Sequence, residues 1–281
     1  MANRFSSVIC WSVLVVVFTL GGCEQRYKKD VSAYEQVVDP NLLVDPNLLI
    51  DPNFVVPEYA SRAIEATGGR QAWMRTKKIA LDCRVTFYQD DGSFYLTEQC
   101  HEIYRWSNSI RIFAEEPQGT FVRQLSNGVL RVWKGTEQVD RLPLAGLDHD
   151  FAEAMLSVTT APVRFFDKQT EFAKGTQPVK IEGQWYYPVI RTVRPISGGP
   201  SMQGRGKTKA VFYQNRDTSV IDLVWFAAKA GAEFESAGIM VHGYDYREVK
   251  SNGVWLPGKV EIFVTDASGA HRQRLAVIDF H

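Results

Sequence analysis

The chain has 281 residues, with 32 basic and 32 acidic side chains and four cysteines. That length suits one large domain or two small ones, and 45% hydrophobic with 23% charged residues is ordinary globular material. Balanced charge argues against a sequence-independent nucleic-acid binder, which needs a basic surface to neutralise phosphates. Aromatic residues at 12% bias the chain toward β structure.

Met1 to Cys23 reads as an export signal. Arg4 and the initiator amine precede an apolar run from Val8 to Leu20. As a helix that run spans about 20 Å, short of the roughly 30 Å hydrocarbon core, so it fits a signal-peptide core better than a membrane span. It ends in Leu20-Gly21-Gly22-Cys23, which resembles the lipobox of bacterial lipoproteins. The resemblance implies cleavage after residue 22 and acylation of Cys23; more than one acyl chain gives stable anchoring. Glu24, where inner-membrane lipoproteins commonly carry aspartate, favours an outer-membrane address facing the periplasm. The alternative is an ordinary secretory signal with a chance cysteine.

Residues 23–57 read as a tether. Asp39-Pro40-Asn41, Asp45-Pro46-Asn47 and Asp51-Pro52-Asn53 repeat with Leu-Leu-Val, Leu-Leu-Ile and Phe54 between or after them. Each Asp-Pro-Asn favours a turn, because proline fixes φ and the Asp side chain bonds nearby backbone. The apolar triplets leave a second reading open, in which they dock on the domain or on a partner.

From residue 58 to 281 one domain is expected. Pro57 suits a first helical turn, with Ala60, Ala63, Ile64 and Thr67 on one face and Gly68-Gly69 as the stop. The period then becomes two. Asp91-Gly92 reads as a two-residue type I′ turn, which pairs Phe87 with Leu96 and sets Cys83 opposite Cys100. In that register the cysteine Cα atoms stand about 4.5 Å apart, within disulfide range. A Cys83–Cys100 disulfide is expected in an oxidising periplasm, the alternative being two free buried thiols. Val85, Phe87, Phe94 and Leu96 then share one face and are the candidate ligand-lining residues, or plain core. Asn127-Gly128 joins a second hairpin, Thr120–Ser126 to Val129–Lys134. Leu147–Val158 has helical spacing, with an extension over Pro162 to Phe166. Strands are expected at Val179–Glu182, Trp185–Val193, Lys209–Gln214, Val220–Phe226, Ile239–Val249, Trp255–Asp266 and His271–Asp279, with a mobile loop over Arg194–Thr208. The fold class is mainly β (α+β): a curved antiparallel sheet or unclosed barrel, with helices covering its concave face.

No catalytic residue stands out. His101, His149, His242, His271 and His281 lack metal-ligand spacing, and Asp148 and Asp150 read as helix-capping carboxylates. Glu115 and Glu116 are adjacent on a strand and point to opposite faces. No nucleophile elbow, phosphate loop or dinucleotide fingerprint is present, so no metal, no cofactor and no enzyme activity are expected.

Ala63-Ile64-Glu65-Ala66-Thr67-Gly68-Gly69, then Ala72-Trp73 leading into a long hairpin, resembles the opening of LolA/LolB-like proteins. Tyr244-Asp245-Tyr246 followed by Gly253-Val254-Trp255-Leu256-Pro257 is similar too. The resemblance implies an unclosed antiparallel barrel with helices plugging its hollow, which in the carriers LolA and LolB receives acyl chains of other lipoproteins. The expected partners are therefore the membrane, through lipidated Cys23, and a lipid, acyl-chain or other apolar ligand. The alternative is an envelope protein partner held by the β surface, with no small ligand.

Overall fold

The computed structural model describes residues 55–105, 107–126, 128–139, 144, 147–167, 170–193, 208–228, 238–266 and 271–281. The signal segment, Cys23 and the Asp-Pro-Asn repeat lie outside the described residues, as does the expected mobile loop except for Thr208. Two short helices open the domain, α1 (Glu58–Glu65) and α2 (Gly69–Arg75). Ala60, Ala63 and Ile64 are buried, as their spacing requires. Trp73 Nε1 donates to Thr67 Oγ1 at 3.0 Å, tying the two helices together. Gly68 turns between them at φ 110°, so close to Gly253 that a Cβ would lie 2.3 Å from its carbonyl oxygen. Only glycine fits there.

A meander follows: β1 (Lys78–Tyr88), β2 (Phe94–Tyr104), β3 (Ser109–Glu116), β4 (Gly119–Ser126), β5 (Val129–Lys134) and β6 (Glu137–Gln138). The helix α3 (Asp148–Thr160) runs into a 3₁₀ segment, Ala161–Phe166. The second series comprises β7 (Thr170–Lys174), β8 (Val179–Ile181), β9 (Gln184–Val193), β10 (Thr208–Asn215), β11 (Ile221–Ala227) and β12 (Gly238–Tyr244). It continues through a small ribbon of β13 (Arg247–Val249) and β14 (Val254–Leu256) to β15 (Lys259–Thr265) and β16 (His271–Phe280). The long strand expected over Ile239–Val249 is broken at Asp245, whose φ is 52°.

Fourteen strands form one antiparallel sheet in the order β6-β5-β4-β3-β2-β1-β16-β15-β12-β11-β10-β9-β7, with β8 also on β9. Its edges, β6 and β7, do not pair with each other, so the curved sheet stays open. Chain order then explains the cover. The connection from β6 to β7 must travel from one edge to the other, and it does so through α3, which packs on β3, β4, β11 and β12. Eleven of the thirteen α3 residues are buried. The main apolar core lies between this helix, α1, the 3₁₀ segment and the inner face of the sheet.

The second hairpin forms as expected, with Ser126 opposite Val129 and Gly128 at φ 73°. The first does not. Gln89 N donates to Ser93 O, Gly92 N donates to Gln89 O, and Gly92 sits at φ 81°. This is a three-residue loop, a type I turn closed by a left-handed glycine, rather than the two-residue turn expected. Phe87 therefore pairs with Tyr95, Cys83 with Gln99, and Asp82 with Cys100. A one-residue slip sends every β2 side chain to the other face. Cys83 joins the inner core, while Cys100 packs outside with Phe113, Val122 and Trp133. The expected Cys83–Cys100 disulfide is thus corrected. Cys83 is a free, buried thiol, and Cys100 lies on the opposite face of the sheet from it.

Candidate functional site

The same slip divides the four candidate lining residues. Val85 and Phe87 are buried on the concave face, and Phe87 meets Phe151 of α3 at a ring separation of 5.0 Å. Phe94 and Leu96 stand on the convex face, 61% and 55% exposed, and line no interior. Their inward places on β2 are taken by Tyr95, Thr97, Gln99 and His101.

One end of the interior is consequently polar. Gln99 Nε2 donates to Thr97 Oγ1 at 2.8 Å, and its carbonyl oxygen accepts from His101 Nε2 at 2.8 Å. Cys83 Sγ lies 3.6 Å from the same imidazole nitrogen. A thiol beside an imidazole suggests a nucleophile with its base, but the environment opposes that role. With its Nε2–H donated to Gln99, His101 has no lone pair there to take the thiol proton. Burial, reinforced by the Arg123 charge, lowers the imidazole to about 3. Burial, with Asp82, Glu98 and Asp279 adding to it, pushes the Cys83 thiol well above its usual range. Both groups are neutral across physiological pH, whereas a reactive cysteine needs the thiolate.

Below this ladder lies a fully buried charge triad. Arg123 Nε donates to Asp148 Oδ1 at 2.6 Å, and Arg123 Nη2 donates to Glu116 Oε1. Asp148 Oδ2 accepts from Leu144 N at 2.8 Å. All three side chains have no solvent exposure. Burial alone would depress the Arg123 guanidinium, but Asp148 and Glu116 hold it above its ordinary value. One cation cannot neutralise two carboxylates, and the surplus falls on Glu116: burial raises its carboxyl despite Arg123. Asp148 is the first residue of α3, so the triad fastens the start of the covering helix to strands β3 and β4. This corrects its expected role, since α3 has no side-chain cap hydrogen bond and Asp148 serves the ion pair instead. Glu115, as expected, faces away from Glu116 and accepts from Thr120 on the surface.

The other end is apolar and aromatic. Phe165 of the 3₁₀ segment contacts Phe172 at 4.7 Å and Tyr59 at 5.9 Å, and Phe172 lies 6.3 Å from Phe212. Sequence reasoning missed the triad, although Arg123 carried a signal: it shares strand parity with Phe121 and Leu125, which belong inside. Among the described residues no group of three or more His, Cys, Asp or Glu side chains is placed to hold a metal ion. The same residues contain no helix long and apolar enough to cross a membrane.

No family model matches this sequence, and no curated protein matches it. Solved structures do. A LolA superfamily protein from Nitrosomonas europaea is similar at a TM-score of 0.46 and 12% identity, over 81% of this chain and 92% of that one. A domain assigned to outer membrane lipoprotein sorting from Vibrio parahaemolyticus gives 0.45 and 8%, over 79% and 91%. A DUF1329 family protein from Desulfovibrio piger gives 0.46 and 9%, over 79% and 90%. These are likenesses of overall shape, at identities that convey no shared chemistry.

Proposed function

We propose that this chain is a non-enzymatic lipoprotein of the bacterial envelope, anchored through acylated Cys23, which holds an acyl chain or another apolar ligand against the concave face of its sheet. One observation carries the ligand half of this reading. The inner face of a fourteen-stranded open sheet is apolar over most of its breadth, and α3 with its 3₁₀ extension is the principal cover that the chain lays across it. An apolar concavity of this kind suits a ligand dominated by hydrocarbon. Entry requires the cover to shift, and Arg123–Asp148 is the polar tie at its leading end. The signal segment and Leu20-Gly21-Gly22-Cys23 support the anchor and the periplasm-facing outer-membrane address.

Native mass spectrometry after mild detergent extraction tests the ligand: a co-purified lipid mass is expected, and a bare protein mass would count against it. Cys23→Ser is expected to release the protein from membranes; undiminished membrane association would refute the anchor. A second reading has its own observation. Phe94 and Leu96 expose apolar surface on the outside of the β1–β2 hairpin, which favours an envelope protein partner there. Loss of a cross-linked partner on Phe94→Ser with Leu96→Ser would support it.

A further inference from the structure

Arg164 of the 3₁₀ segment and Arg191 of β9 are both buried, at 3% and 7% exposure. Arg191 pairs across the sheet with Phe172 of β7 and Ala210 of β10, so its side chain shares the inner face with them. Among the described residues neither guanidinium has a carboxylate within 4.0 Å, and the Nε–H of each is buried without a hydrogen-bond partner. The acids whose charges reach them hydrogen-bond hydroxyls: Glu153 accepts from Ser157 Oγ at 3.3 Å, and Asp167 accepts from Thr170 Oγ1 at 2.9 Å. Burial, and for Arg164 the neighbouring Arg191 charge, pushes both guanidinia below the usual arginine range, outweighing the pull of Glu153 and Asp167.

Arginine remains charged in proteins, so two such groups facing a shared apolar interior are unfavourable alone. Their forked donors match the oxygens of a carboxylate or phosphate. Hydrocarbon-compatible surface begins at once beside them, because Arg191 lies over the Phe212 ring at 6.0 Å and the Phe172, Phe165 and Tyr59 rings continue from it. Arg123, at the other end, differs in already having two carboxylates.

We propose that Arg164 and Arg191 bind the anionic head, a carboxylate or a phosphate, of an amphiphile whose tail lies on the aromatic end of the concave interior. The tail's place rests on the apolar-ligand reading; the anion site does not. The test titrates the full chain calorimetrically with dioctanoyl phosphatidic acid, with dioctanoylglycerol, which has the same tails and no charge, with oleate, and with inorganic phosphate. The charged lipid is expected to bind at least about tenfold more tightly than the neutral one, a gap of roughly 1.4 kcal/mol. Arg164→Gln with Arg191→Gln should abolish that gap, while Arg164→Lys with Arg191→Lys should keep part of it. Equal affinity for the two lipids, or a gap that survives the glutamine pair, would overturn the proposal and leave the lipid-binding reading standing. If neither lipid nor oleate binds but phosphate does, and only with the arginines present, the anion site holds and the lipid reading fails. Binding of nothing overturns both. Without ligand the glutamine pair is expected to melt no lower than the parent; a variant that unfolds would mean that the guanidinia are structural, and would also overturn it.

Discussion

The two hairpins of the first meander share a turn signature and part company in geometry. In the second, Ser126 faces Val129 across Gly128, so two residues separate the strands. Asp91-Gly92 instead ends a three-residue loop, because Gly92 takes its left-handed conformation after a type I turn. The difference is one residue, and it inverts a strand. An Xaa-Gly pair identifies a hairpin, but the loop length that fixes register is decided by what the flanking strands must bury. In β2 that set is Tyr95, packed against Phe87, with Thr97, Gln99 and His101 joined by hydrogen bonds, rather than the more apolar Phe94 and Leu96.

The comparison can be broken by mutation. Arg123 is inward only because the Asn-Gly hairpin holds its register, and Arg123→Met would leave two buried carboxylates unpaired; a loss of about 3–5 kcal/mol is expected in denaturant melts. A loss below about 1 kcal/mol would place Arg123 in solvent, where pairs are weak. For the Asp-Gly hairpin, Phe87→Ala should also cost about 3–5 kcal/mol, while Phe94→Ala should stay within about 0.5 kcal/mol. Similar losses at both positions would restore the two-residue turn.

The pH dependence gives a further check. His101, inward by the three-residue loop, is lowered to about 3 in the folded state. A base depressed on folding is protonated first in the unfolded chain, so acid favours unfolding. Its contribution is full above the unfolded value near 6.5 and is lost as pH falls from there toward 3, at up to about 1.4 kcal/mol per pH unit. His101→Gln should flatten that part of the stability curve relative to the parent, and an unchanged slope would put His101 in solvent. A smaller effect than those at Arg123 and Phe87 is expected from Gly92→Ala. No atom lies within 4 Å of the added Cβ, so only the left-handed backbone is penalised, by roughly 1–2 kcal/mol.

Much of the fold was legible because period-two alternation and turn residues are local signals. Most strands from Val179 onward and the helix over Leu147–Val158 lie within a few residues of expectation, although Ile239–Val249 and Trp255–Asp266 each divide into two strands, and the open antiparallel sheet with a helical cover followed from them. Of the four candidate lining residues, Val85 and Phe87 lie inside, while Phe94 and Leu96 lie outside. The miss has a physical source. Sorting apolar residues inward assumes that polar groups are too costly to bury, yet Thr97, Gln99 and His101 hydrogen-bond one another, and Arg123 is held by Glu116 and Asp148. Such compensation joins residues on different strands and a helix, so it is invisible until the strands are in register. Arg164 and Arg191 were missed for the related reason that no local pattern brings a residue of the 3₁₀ segment near one of β9.

The pairing of β1 with β16 has a consequence for how the molecule comes into being. Cys83 faces Phe280, and the His281 amide reaches Asp82, so the first strand of the domain and the last in chain order form the middle of the sheet. The early meander has no neighbour on that side until β16 arrives, its first residue 183 positions after the end of β1. Closure of so long a loop slows folding. A chain delivered from its N-terminus therefore stays unfinished through most of its delivery, and removing β16 should split the sheet along its centre rather than fray its rim.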